Sequence, residues 1–280
     1  MMATLEGHSG CILELVTTNN KNIVIKKSKD LDYNKRLEIQ HNKQKEYSEK
    51  AFKSVNVIDN GFDKTGLFWF SMEFVNGQTL ADYMRIIELV NIYTIAEKIM
   101  IIIPDHISYD ENSKVIFMKK INKLSEEIAN KSEIIDLSIQ RLTDYKWDYI
   151  QHSQCHGDLT LENIIVSNND LYLIDFLDSF YDSWQIDIAK ILQDIEIFWH
   201  YRKDKMDNNL FIRLLVLKRI LLKKLIKIKD GEKIIESIYH ILLLNLLRIL
   251  PYTKDESTYD FLQGCFVFLD NKISNRKWGI

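Results

Sequence analysis

The sequence predicts an α+β fold in two lobes, a small antiparallel sheet with one helix followed by a larger, mainly helical region. Three observations carry that expectation. Short runs in which strand-forming residues alternate are confined to roughly the first 75 of the 280 residues. One long polar stretch without breakers, residues 30–52, interrupts those runs. From residue 79 onward the apolar spacing changes to the three-and-four period of helices. Residues 1–75 are therefore expected to form the first lobe and residues 76–280 the second.

Taken in order, Cys11-Ile12-Leu13-Glu14-Leu15-Val16 and Asn22-Ile23-Val24-Ile25-Lys26 read as a hairpin around Thr18-Asn19-Asn20-Lys21. Glu6-Gly7-His8-Ser9-Gly10 precede it as a turn. Residues 30–52 are rich in Lys, Gln and Glu, whose unbranched side chains lose little rotamer freedom in a helix. Residues 55–58 and 67–72 are the next strands, around a turn at 59–66. Glu73-Phe74-Val75-Asn76 then run into the breaker Gly77. Helical spacing follows at 79–103, 115–130 and 132–147, and again through the last hundred residues. Between these lie two apolar runs, Ile164-Ile165-Val166 and Leu171-Tyr172-Leu173-Ile174. They read as a second hairpin around Ser167-Asn168-Asn169-Asp170.

Composition narrows the function classes. Two prolines and nine glycines argue against linkers and disorder. A formal net charge of −3 is too small to suggest a nucleic-acid partner. Three separated cysteines, Cys11, Cys155 and Cys265, fit a reduced, cytoplasmic protein and lack the paired spacing of a zinc site. No basic-then-apolar leader opens the chain. The apolar stretches 210–228 and 234–250 are interrupted by charged and polar side chains, Arg213, Lys218 and Arg219 in the first, Glu236, His240 and Asn245 in the second. They are expected as core helices, and no membrane span is expected.

The chemistry concentrates in His156-Gly157-Asp158-Leu159-Thr160-Leu161-Glu162-Asn163 and in Ile174-Asp175-Phe176. Asp158 is placed to accept a proton from an attacking hydroxyl. Asn163 and Asp175 offer oxygen ligands to Mg²⁺, a hard cation. The second hairpin carries the chain back, so that Asp175 is expected beside the loop holding Asp158 and Asn163.

This pattern resembles the kinase-like phosphotransferases that include aminoglycoside phosphotransferases and choline kinases, with their His-Gly-Asp loop, downstream Asn and Ile-Asp-Phe strand. The resemblance implies a protein-kinase-like fold. It also implies transfer of the γ-phosphate of ATP or GTP to a hydroxyl of a small molecule, with Mg²⁺ at Asn163 and Asp175 and Asp158 as catalytic base. Lys26, on a strand and pointing with Val24 into the cleft, looks like the lysine that holds nucleotide phosphates. Its expected helix partner is Glu46, with Glu38 the alternative and Gln44 on the same helix. The turn containing Ser9 is a candidate cover for the phosphates. Glu73 to Val75 resemble the connector whose backbone meets the base. His156 is expected to brace the loop, as is Asp187 at a helix start. Asp178 either meets substrate or metal-bound water, or caps a turn.

Only eleven residues separate Asp175 from Asp187, too few for the activation segment that docks a protein substrate. A small acceptor is therefore expected, in a pocket walled by helices near 79–147 and 180–280. Tyr181, Asp182, Trp184, Glu196, Trp199, His200 and Tyr201 are candidate wall residues, suited to a cationic amine or a sugar. The His156 to Asp194 stretch is also similar to predicted phosphotransferases of surface-polysaccharide gene clusters, which favours a sugar-like alcohol over an aminoglycoside or amino alcohol. The alternatives are a nucleotide-binding regulator without turnover and a protein Ser/Thr kinase.

Overall fold

A computed structural model describes residues 2–5, 11–18, 21–48, 52–129, 131–204, 206–276 and 278–279. The turn carrying Ser9, and Asn19 and Asn20 of the first hairpin, lie outside the described residues. The strands are β1 (Met2–Leu5), β2 (Cys11–Thr18), β3 (Lys21–Ser28), β4 (Lys53–Ser54), β5 (Val57–Phe62), β6 (Phe68–Glu73), β7 (Gln78–Thr79), β8 (Ile164–Ser167) and β9 (Asp170–Leu173). The helices are α1 (Asn34–Glu46), α2 (Leu80–Ile86), α3 (Leu89–Met100), α4 (Ser113–Glu127), α5 (Glu133–Asp144), α6 (Trp184–Ile195), α7 (Asn208–Leu225), α8 (Gly231–Leu247) and α9 (Glu256–Ser274).

The N-terminal sheet has the order β1-β2-β3-β6-β5, all antiparallel. Its register sets Lys26 between Leu13 on β2 and Phe70 on β6. One face of β6 carries Phe68, Phe70 and Met72, which pack with Leu37 of α1 and with Val55 as a small separate core. Strand β5 continues through Asp59, Asn60 and Gly61, where a turn was expected. The reversal falls later because Asp63 Oδ1 accepts from the Thr65 and Leu67 N–H groups at 2.8 and 3.0 Å. Helix α1 is shorter than the polar stretch that predicted it. It turns Leu37, Gln40, His41 and Gln44 toward the protein interior, so polar atoms must find partners there.

A second sheet, β4-β9-β8-β7, joins the two parts of the chain. β4 pairs in parallel with β9, and β7 closes the other edge against β8. The helix expected across 79–103 breaks between α2 and α3, with no Pro or Gly at the break. Arg213 of α7 causes the stop by donating to the carbonyls of Ile87 and Arg85 at 2.7 and 2.8 Å. A side chain from a distant helix satisfies the α2 C-terminus, which no local signal announces.

The large core lies among α2 to α9, with α6 and α8 at its centre. Eleven of the 12 residues of α6 and 14 of the 17 of α8 are buried. The stretch Gly231–Tyr252 is long and apolar enough to cross a membrane by length and composition, yet 72% of its most apolar window is buried inside the fold. Each Leu or Ile so buried contributes about 1.5–3 kcal/mol, which makes α8 the axis of the helical core.

Candidate active site

The loop from His156 to Asn163 is held from behind by one face of α6. Asp187 accepts from the backbone N–H groups of His156 and Gly157, at 2.7 and 2.8 Å. Asp194, two turns on, accepts from Leu161 N–H at 2.8 Å. Both carboxyls are fully buried, and burial pushes each up to about 7 against the pull of these donors. Gly157 sits at φ +87°, where an added Cβ would meet the Leu177 carbonyl oxygen at 2.8 Å; only glycine fits.

The His156 ring lies between two backbone groups. Its Nε2 is 2.7 Å from the Ile174 carbonyl and its Nδ1 is 3.2 Å from the Asp158 N–H. Only the neutral tautomer with its proton on Nε2 serves both, donating to the carbonyl and accepting from the N–H. Burial agrees, pushing the imidazole down to about 4. His156 is thus a brace, as expected, and it ties the Ile174 to Phe176 segment to the loop that carries Asp158.

In front of this scaffold, Asp158, Asn163, Asp175 and Lys26 line one cleft of about 760 Å³. Asn163 Nδ2 donates to the Asp158 carbonyl at 2.8 Å, so its remaining polar atom, Oδ1, is an acceptor. The Ile174 N–H donates to the Asn163 carbonyl at 3.1 Å, which holds the Asp175 segment against the loop. Asp175 adopts φ +62° and its carboxylate pairs with Lys26. Lys26 is buried at 2% exposure and shares the cleft with Val24, as strand alternation predicted. Lys27 points the other way, to Asp63.

Asp158 has a partner that the sequence reading did not name. Lys190 Nζ stands 3.0 Å from Asp158 Oδ1. Burial pushes the Asp158 carboxyl up, but Lys190 outweighs it and holds the group below its ordinary value. Lys190 follows Asp187 by three residues on α6, so the helix period that brings Asp187 to the loop brings Lys190 to the cleft. That spacing was the available signal.

Two halves of the cleft differ in chemistry. Leu13 and Val24 from the sheet, Met72 at the back, and Ile165 and Ile174 below form an apolar slot beside Glu73, Phe74 and Val75. Glu73 and Val75 therefore lie where expected. The other half is polar, formed by Thr160, Glu162, Lys190, Gln193, Trp199, His200, Arg202 and Lys203. Among the described residues none from 79–147 lines the cleft; those helices pack behind it.

Several expected contacts fall elsewhere. Glu46 does not reach Lys26, because it is exposed, off the face of α1 that turns Leu37, Gln40, His41 and Gln44 inward. Gln40 takes that place, with Oε1 accepting from Lys26 Nζ at 3.1 Å. One turn further along the same face, Lys43 donates to the Leu177 carbonyl, Ser179 Oγ and Asp182 Oδ1 at 3.1, 2.9 and 2.6 Å. Helix α1 is therefore tied by a lysine to the segment that follows Asp175, and Asp178 is exposed. Of the candidate wall residues, Trp199 and His200 line the cleft. Tyr181, Trp184 and Tyr201 are core, donating to Asp110, Gln151 and the Ala81 carbonyl. Glu196 is buried between Lys218, Lys272 and Tyr239. Cys155 is buried beside Asp182, and burial pushes its thiol well up, so it packs rather than reacts.

The donor set suits a magnesium ion. No cluster of three or more His, Cys, Asp or Glu side chains occurs among the described residues, and none is needed. Mg²⁺ takes one or two protein carboxylates together with substrate phosphates and waters. Asp175 and the Asn163 amide oxygen on one cleft are a fitting pair.

No family model matches the sequence, and no curated protein matches it. Solved structures do match. A thermostable mutant of aminoglycoside phosphotransferase APH(4)-Ia aligns with 99% of this chain and 95% of its own, at 11% identity and a TM-score of 0.62. The same protein in ternary complex with AMP-PNP and hygromycin B aligns with 99% and 94%, at 12% identity and 0.59. A putative fructosamine-3-kinase from Haemophilus somnus 129PT covers 98% and 90%, at 14% identity and 0.58. An ethanolamine kinase from Plasmodium vivax covers 96% and 81%, at 15% identity and 0.55. At such identities the likeness establishes the fold: this chain has the two-part, protein-kinase-like fold of these small-molecule kinases.

Proposed function

We propose that this chain transfers the γ-phosphoryl group of ATP or GTP to a hydroxyl of a small molecule. The observation that carries the reading is the meeting of Asp158, Asn163, Asp175 and Lys26 on one cleft with an apolar slot beside it. The fold supports it, as does the presence of AMP-PNP and hygromycin B together in the APH(4)-Ia complex. The short link between Asp175 and Asp187 favours a small acceptor over a protein.

The base of the nucleotide fits the apolar slot, against the backbone of Glu73 to Val75. Lys26 turns from Asp175 to the phosphates as the nucleotide enters. Asn163 and Asp175 would hold Mg²⁺ against those phosphates, and the bound ion would neutralise their charge. Asp158, kept ionised by Lys190, orients the acceptor hydroxyl. The acceptor oxygen bonds to the γ-phosphorus while the bridging bond to the β-phosphate breaks. The hydroxyl proton passes to Asp158, and the electron pair leaves with the nucleoside diphosphate.

The test is a pair of variants assayed for Mg·ATP binding and for turnover against a panel of hydroxyl acceptors. Asp158→Ala lowers turnover by about 10²-fold or more and leaves nucleotide binding intact. Asp175→Ala abolishes the Mg²⁺-dependent part of nucleotide binding. Full activity in the first variant, or unchanged Mg·ATP affinity in the second, overturns the reading.

A further inference from the structure

The polar half of the cleft is basic. Lys190 stands on α6, and His200, Arg202 and Lys203 on the segment after it. Besides Asp158, the carboxylate in this half is Glu162, and His200 Nδ1 engages it at 3.1 Å. The other acids whose charge reaches Arg202 are Asp194 and Asp255. Asp194 is tied to the N–H groups of Leu161 and His200, and Asp255 to that of Thr258. The acids expected to receive a cationic amine are committed too, Asp182 to Lys43 and Glu196 to Lys218 and Lys272.

Two buried polar atoms of this half lack partners among the described residues. Arg202 lies over the Trp199 ring at 3.9 Å and gives one donor to the Trp199 carbonyl at 2.8 Å. Its buried Nε meets no acceptor among the described residues, and the buried Oε1 of Gln193 meets no donor. Gln193 is 2% exposed and lines the cleft one turn beyond Lys190. A buried polar atom left unpaired costs about 1–3 kcal/mol, so a ligand that supplies both an anion and a hydroxyl has something to gain here. An ammonium group would meet Lys190, Arg202 and Lys203, and the carboxylates nearby, Asp158, Glu162 and Asp255, already face Lys190, His200 and Lys203.

We infer that the acceptor is a polyol that carries its own negative group, a carboxylate or a phosphate, held by Arg202 and Lys203 while one of its hydroxyls faces Asp158. Gln193 Oε1 accepts from a neighbouring hydroxyl of the same molecule. This deepens the phosphotransferase reading above and rests on it. The nucleotide is held from the opposite side, by Lys26 on β3, so the two cation sets have separate tasks.

The experiment measures kcat/KM of the full chain with Mg·ATP for matched acceptors: gluconate and glucuronate, glucose 6-phosphate, glucose and glycerol, and glucosamine and ethanolamine. Calorimetric titration of the same compounds into the chain loaded with Mg·AMP-PNP runs beside it. An anionic arm is expected to exceed the neutral and amine arms by about 10-fold or more, the yield of one charge-assisted contact. The carboxylate and phosphate arms decide between those two groups. Arg202→Gln and Lys203→Gln each raise the KM or Kd of the anionic acceptor about 10-fold and leave the KM of Mg·ATP within about twofold. Preference for a neutral or amine acceptor overturns the inference. So does absence of anion binding to the loaded chain, or an Arg202→Gln effect on Mg·ATP instead of on the acceptor. Failure of the chain to bind Mg·AMP-PNP at all is a different result, which overturns the phosphotransferase reading itself.

Discussion

The catalytic loop and helix α1 face the same cleft and are held there by opposite means. The loop is gripped by its backbone: Asp187 and Asp194 take three of its N–H groups, and the His156 ring bridges Asp158 and Ile174. Helix α1 is gripped by the tips of long side chains, Gln40 on Lys26, Lys43 on the Leu177–Asp182 segment and Gln44 on the Val55 carbonyl at 2.8 Å. A backbone fixed by buried carboxylates keeps one geometry, as the proposed role of Asp158 as base requires. Side-chain tips exchange partners readily, as the proposed function asks of Lys26 when phosphates arrive. The difference teaches which part of the site is preset and which part answers the ligand.

The sharpest way to break this contrast is Asp187→Ala. It leaves the His156 and Gly157 N–H groups buried without acceptors, each worth about 1–3 kcal/mol. The expected loss is about 4 kcal/mol in urea unfolding, with turnover lost alongside. A loss below about 1 kcal/mol would show that α6 does not carry the loop.

Acid sharpens the contrast further. The His156 imidazole is held near 4 instead of its ordinary 6.5 by burial. Between those values the unfolded chain binds a proton that the folded one does not. The imidazole's contribution is therefore complete above about pH 6.5 and is lost as pH falls toward 4. Measured against His156→Gln, the stability advantage of the native chain shrinks by roughly 3 kcal/mol from pH 7 to pH 4. Asp187, raised to about 7 by burial, titrates in the opposite sense in both proteins and cancels in the difference. On α1, burial lowers the Lys43 ammonium but the carboxylate of Asp182 beside it outweighs that and keeps it raised, and Lys43 in turn holds the Asp182 carboxyl down against its own burial. That pair stays charged over the same range in the native chain. In Lys43→Met burial raises the Asp182 carboxyl unopposed by a cation, so this gap also shrinks toward pH 4, but by less than the His156 gap because Asp182 is partly exposed. Equal pH slopes for the two variants would erase the distinction.

The same contrast governs what was legible in the sequence. The loop and metal strand could be read because their partners are local in sequence or repeat with a helix period. His156, Asp158, Asn163 and Asp175 sit on one loop and one hairpin, and Asp187 opens the next helix. The two-part fold was legible for the same reason, since period two and period 3.6 occupy different stretches. Lys26 was legible from strand alternation, but its neighbour was not. Choosing among Glu38, Gln44 and Glu46 required the phase of α1, and a helix polar on every side hides its phase. The break at Ile87 was invisible because Arg213, 126 residues away, makes it. The cations in the polar half of the cleft were not legible, because a solvated Arg or Lys looks the same in sequence as one lining a cleft.

The smallest expected effect bears most directly on the responsive half of the site. The helix partner of Lys26 is the amide of Gln40, so the carboxylate that answers Lys26 is that of Asp175, the same group proposed to hold the cation. Gln40→Glu supplies Lys26 with a second carboxylate at the same position and releases Asp175 from part of its pairing. With Lys26 buried and the Asp175 side chain 41% exposed, that release is worth about 1 kcal/mol. The apparent affinity for Mg²⁺, read from turnover at saturating ATP, should rise by about 2- to 5-fold. The burial of a further carboxylate on α1 should lower the melting temperature by a few degrees, about 2–4 °C per kcal/mol for a chain of this size. A fall in Mg²⁺ affinity would mean that Lys26 steadies Asp175 for the cation instead of competing with it. Helix α1 would then belong with the preset half of the site, and the division drawn between loop and helix would fail.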